Sequence, residues 1–158
     1  MDYNIEGQWC KTMSDFSDWE VIDTYSTKQA VEDGFLVRVD QKISKEAGIK
    51  YPVYLTRAVW DKYVIVPRGF DKVQDVDGRL WDVLYMFAIA ARTCNKQLLM
   101  YQLNVKLPCN GDWEANEKRD PEISDKYNTR LVTLKSVIQA QDFDDPSPAI
   151  FIMKPNED

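Results

Sequence analysis

The stretch GRLWDVLYMFAIAARTCNKQLLMYQLNVKL, Gly78 to Leu107, changes its hydrophobic period halfway along. From Arg79 to about Thr93, the residues Leu80, Leu84, Phe87 and Ala91 fall at i, i+4, i+7 and i+11, which places them on one helical face. Trp81, Val83, Met86, Ile89 and Ala90 make most of the remaining circumference apolar. That pattern predicts one long helix buried at the centre of the domain. From Gln97 to Leu107 the period drops to two. Leu99, Tyr101, Leu103, Val105 and Leu107 alternate with Met100, Gln102, Asn104 and Lys106, as in a strand with one buried face.

Working outward, two more strands are expected at Leu131–Ile138 and Ala149–Met153. The proline-rich run Asp142–Pro148 between them reads as a hairpin loop. Upstream, Ser26 and Gln29 form a capping box for a helix from about Thr27 to Asp33, with Gly34 just past its end. Phe35–Val39 is β-rich. Asp40 caps a second short helix that Gly48 ends, and Thr56 caps a third, from Arg57 to about Tyr63. Tyr51 precedes a proline, so Tyr51–Leu55 must be extended. Val21–Tyr25 is a further short-strand candidate, and Trp9, Phe16 and Trp19 predict an N-terminal segment packed on the domain. Helices grouped before strands argue for an α+β fold, its sheet antiparallel with about three to five strands. Residues 1–158 form one domain with a long polar inter-strand loop at 108–128, since no linker or repeat divides the chain.

The chain is 44% hydrophobic and 29% charged, enough apolar material for a core. The three cysteines, Cys10, Cys94 and Cys109, form no CxxC pair and no even framework. With no signal-like N-terminal pattern, and no apolar run long enough to span a bilayer, a reducing, cytoplasmic setting without membrane contact is expected. The net charge is −6, and basic residues are scattered singly among acids, which disfavours direct nucleic-acid binding. There is no histidine, and no phosphate-loop, dinucleotide or nucleophile-elbow motif. Catalytic triads and the commonest transition-metal ligand are thereby excluded, and the expectation is a protein that is not an enzyme and uses no cofactor.

Three features could carry chemistry and read better as structure. Asp82 lies in the apolar helix and can be balanced by Arg79, Arg57 or Arg38. Asp142, Asp144 and Asp145 lack the glycine turn and distant glutamate of a calcium loop. Cys94, beside a helix C-terminus, has no histidine to act as its base. The 108–128 loop is different. Trp113 is an interface-anchoring residue type in a polar segment, with Glu114, Glu117, Asp120, Glu122 and Tyr127 around it as a binding rim. The alternative fate of its indole is to fold back over a sheet edge. A second candidate is a small-ligand site of Tyr25, Ser26, Arg57 and Trp60, whose hydroxyls, guanidinium and ring suit a nucleotide-like molecule.

The stretches Ala30–Val37, Glu46–Trp60 and Gly78–Leu84 resemble a family of uncharacterised bacterial proteins often carried by phages, plasmids and other mobile elements. The resemblance covers roughly residues 21–107 and, more weakly, the closing strand Ile150–Met153. It brings no activity with it. It implies a non-enzymatic accessory protein that binds and blocks a host defence protein, in the manner of anti-CRISPR or anti-restriction proteins.

Overall fold

A computed structural model describes residues 25–108, 111–119 and 129–157. Its elements run α1 (Thr27–Glu32), β1 (Leu36–Arg38), α2 (Gln41–Glu46), β2 (Val53–Thr56), α3 (Arg57–Val59), α4 (Val76–Ala91), β3 (Leu98–Lys106), β4 (Glu117–Lys118), β5 (Thr129–Asp142) and β6 (Asp145–Met153). The N-terminal aromatics, nearly all of the Val21–Tyr25 strand candidate, Cys10, Cys109, Asp120, Glu122 and Tyr127 lie outside the described residues.

The α+β class holds, with one sheet and a few helices. Among the described residues the sheet has six strands in the order β1-β2-β6-β5-β3, with β4 pairing β5 off this path. It is mixed, not antiparallel: β2 runs parallel to β6, with Val53 opposite Ile150 and Leu55 opposite Ile152. A parallel pair needs a long crossover, and residues 57–144, more than half of the chain, lie between these two strands. Strand β6 begins at Asp145, inside the expected loop, and β5 extends to Asp142, leaving Phe143 and Asp144 as the turn. Two prolines fit in β6 for a geometric reason. Ile150 donates its amide to Pro52, on the β2 side, so Pro148 directs its nitrogen the same way, beyond the reach of β2, and Pro146 lies where the β5–β6 register shifts. No ladder hydrogen bond is lost there.

The local caps are as the sequence implies. Ser26 accepts from the Gln29 amide at 3.0 Å and the Gln29 side chain accepts from the Ser26 amide at 3.0 Å. Asp40 and Thr56 cap their helices, and Gly34 follows α1 at φ 85°. The third helix widens after Val59 into a π-helical turn, Trp60–Val64, closed by Ile65 N–H donating to Trp60 O at 2.9 Å. Helix α4 starts earlier than expected, capped by Asp75, which accepts from the Gly78 amide at 2.8 Å. A Cβ at Gly78 would stand 2.5 Å from the Asp75 carboxylate, so this glycine makes room for the cap and does not break the helix.

The main core lies between α4 and one face of the sheet. Leu80, Val83, Leu84 and Phe87 pack on Tyr101, Leu103, Val105, Val132, Leu134, Ile150 and Ile152. The Tyr101 hydroxyl donates to Val83 O at 3.2 Å. Helix α4 is not buried all round: Tyr85, Ile89 and Asp82 are exposed. A single-layer helix on a sheet has only one face to bury, and the apolar surplus remains outside. The opposite sheet face carries a smaller apolar cluster, Tyr54, Ala149, Phe151 and Met153, partly covered by α1 through Val31.

Candidate functional site

Two polar constellations flank the sheet, and they differ in how far their groups are satisfied. The first closes the end of the main core. Arg130 and Glu117 belong to the core-facing side of β5 and β4, and both are buried. Arg130 Nη1 donates to Glu117 Oε1 at 2.8 Å, and its Nη2 donates to Asp112 Oδ1 at 2.6 Å and Pro108 O at 2.8 Å. The other Glu117 oxygen accepts from the Tyr63 hydroxyl at 2.6 Å and pairs with Lys62 Nζ at 2.8 Å. Lys62 and Lys154 also hold Glu114, at 2.5 and 2.8 Å. Burial pushes the Glu117 carboxyl up, but the bonds from Lys62, Tyr63 and Arg130 outweigh it and leave it below the usual carboxylate range. The same balance, with Lys154 and Lys62 as partners, holds Glu114 down.

This network fixes the described part of the 108–128 loop. Trp113 stacks over the Arg130 guanidinium, 4.4 Å from ring centroid to Cζ, and remains 44% exposed. Its indole thus folds back on the sheet end, yet keeps an outer face. Glu117 does not belong to a binding rim: its carboxylate is enclosed and fully engaged. Its side-chain partners Arg130, Tyr63 and Lys62 come from 13 to 55 positions away in the chain, so only the fold could reveal this.

The second constellation is an open groove of about 600 Å³ between α1, the start of α3 and the second sheet face. Tyr25, Ser26 and Arg57 line it, as the ligand-site reading expected. Trp60 does not; it sits in the π-helical turn and packs against the main core. The sheet register supplies groups the sequence reading missed. Lys135 and Val137 on β5 stand opposite Met153 and Phe151 on β6, all on the groove side. The floor is apolar, with Leu36, Val137, Phe151 and Met153, and the rim carries two aromatics, Tyr25 and Phe35, packed edge to face at 6.4 Å. Phe35 is 64% exposed, so its ring offers an open apolar face at the rim.

The cations of the groove are lightly committed. Arg57 pairs with Asp61 at 3.2 Å across two side chains more than half exposed. Lys135 donates to the Glu157 carbonyl, and the Glu157 carboxylate accepts from Thr56 at 2.9 Å. The Tyr25 hydroxyl donates to Asp33, which pushes its pKa up to about 12 and keeps it protonated. Period-two alternation could have suggested Lys135 and Val137 as face-mates; it could not say that they share a groove with Arg57.

The remaining candidates are accounted for structurally. Asp142 accepts from the Lys28 and Phe143 amides, and Asp145 from Ser147 N and Gln141, so these acids tie the hairpin tip to α1 and shape the turn. Among the described residues no cluster of three or more metal-ligating side chains is present. Asp82 is on the outer side of α4, where it and Arg79 line a cavity of about 10 Å³, room for roughly one water. Among the described residues no helix is long and apolar enough to cross a membrane.

Fold and groove define a small α+β domain on a mixed sheet with one closed and one open face. The chain belongs to the family of unknown function DUF6573, matched over residues 13–158, a span that includes every stretch carrying the resemblance noted above. No curated protein and no solved structure matches it.

Proposed function

We propose that this chain is a non-enzymatic binding protein whose ligand is a small anionic molecule with a planar ring, of nucleotide type, held in the groove between α1 and the sheet. The observation that carries this reading is the convergence of Arg57 and Lys135 with exposed Tyr25 and Phe35 over an apolar floor, in a space of about 600 Å³. Ligand sites pair an apolar lining with a few placed polar groups, and their volumes run from about 300 to 1,000 Å³. A phosphate would replace the weak Arg57–Asp61 contact, and a base would lie against Tyr25 and Phe35.

The test is a panel of nucleotides and cyclic nucleotides screened by thermal shift, followed by calorimetry. At least one member should raise Tm, and Arg57→Ala or Lys135→Met should weaken its binding about 10-fold or more, the value of one charge-assisted contact. A flat panel at millimolar concentration, or unchanged affinity in both variants, would overturn the reading.

A second reading has its own support. Trp113 is pre-positioned on Arg130 with an exposed face, which suits an anchor for a protein partner. Blocking a host defence protein from a mobile element, as the resemblance implies, would use that surface. Trp113→Ala should then remove a captured host protein and leave nucleotide binding untouched.

A further inference from the structure

We propose that the outer face of α4 is a self-pairing surface, on which a second copy of this chain packs antiparallel about a two-fold axis near Tyr85. This inference is independent of the groove. Helix α4 buries Leu80, Val83, Leu84 and Phe87 against the sheet. Trp81, Tyr85 and Ile89 fall at i, i+4 and i+8, on a different face. The Trp81 and Tyr85 rings stack, with centroids 4.5 Å apart and planes 12° from parallel, so they present one rigid aromatic plate. Tyr85 is 36% and Ile89 38% exposed. A surface helix of a monomer ordinarily carries polar residues there.

The charges select the occupant. The exposed charges before Tyr85 are acidic, Asp75, Asp77 and Asp82, and those after Ile89 are basic, Arg92 and Lys96. Two copies antiparallel about Tyr85 set position 85−n against 85+n. Trp81 then meets Ile89 of the other copy, and Asp77 lies beside its Arg92. A parallel arrangement would set like charges together. An isologous contact satisfies both ends with one surface and closes at two subunits. The two helix dipoles, opposed in this arrangement, add to it.

Sedimentation velocity on the full chain at about 100 µM tests this, in the range where micromolar dimers persist. The expected mass is twice 18.4 kDa. Tyr85→Glu and, separately, Ile89→Lys should each give a folded monomer, verified by circular dichroism. Asp77→Lys and Arg92→Glu should each weaken self-association about 10-fold or more, and an equimolar mixture of the two should recover a heterodimer, since each then offers what the other lacks. A monomeric wild type, a dimer indifferent to both Tyr85→Glu and Ile89→Lys, or a mixture no more associated than its parts would each overturn the proposal.

Discussion

The closed end of the core and the open groove use the same residue types for opposite purposes. At the closed end, Arg130, Glu117, Lys62 and Tyr63 answer one another, and each donor meets an acceptor within the fold. In the groove, among the described residues, Arg57 pairs with a solvent-exposed carboxylate and Lys135 donates to a carbonyl. A buried charge must be compensated by the protein itself, because desolvation otherwise costs several kcal/mol. A charge at a groove can be left for a ligand, because water holds it until the ligand arrives. The difference separates architecture from binding more sharply than residue identity does.

The largest effect should come from breaking the closed network. Glu117→Ala leaves Arg130 and Lys62 without their common partner, and should cost about 3–5 kcal/mol, measured by urea unfolding. A loss under about 1 kcal/mol would mean that the network is solvated and that the contrast with the groove fails.

The same network sets a pH dependence. Glu117 and Glu114 have folded pKa values below their unfolded ones, so their contribution is full above about pH 4.3 and is lost as pH falls through the folded values. Urea midpoints measured downward from pH 6 should fall below about pH 4.3. The gap between wild type and Glu117→Gln should narrow over the same range. A gap constant with pH would show that Glu117 is not the titrating group.

The smallest effect is expected at Trp113. Its cation–π contact with Arg130 is half open to solvent, so Trp113→Ala should cost about 1 kcal/mol, read from the same unfolding curves. A cost like that of Glu117→Ala would make the indole part of the closed network and remove it as a partner anchor.

Much of the local structure was legible in the sequence because it is decided by neighbours. Ser26 with Gln29, Asp40 and Thr56 cap their helices through bonds two to three residues long. The alternation from Leu99 to Leu107 marked β3 and its buried face. The Asp75 cap is harder to read, because an Asp-Gly pair such as Asp77-Gly78 ordinarily marks a turn until the space beside Asp75 is seen. Tyr25, Ser26, Arg57 and Trp60 suit a ligand by their chemistry; the first three share a groove, and the π-helical turn carries Trp60 to the core.

The sequence alone determined the caps of α1, α2 and α3, the α+β class and the absence of histidine chemistry, all properties of composition or of contacts a few residues apart. Tertiary structure decided the parallel pairing of β2 with β6, the enclosure of Glu117 and the placing of Lys135 and Arg57 along one groove. Each joins residues tens of positions apart, and pairing at that range is chosen by how sheet faces and charges fit together in space, which no local pattern encodes.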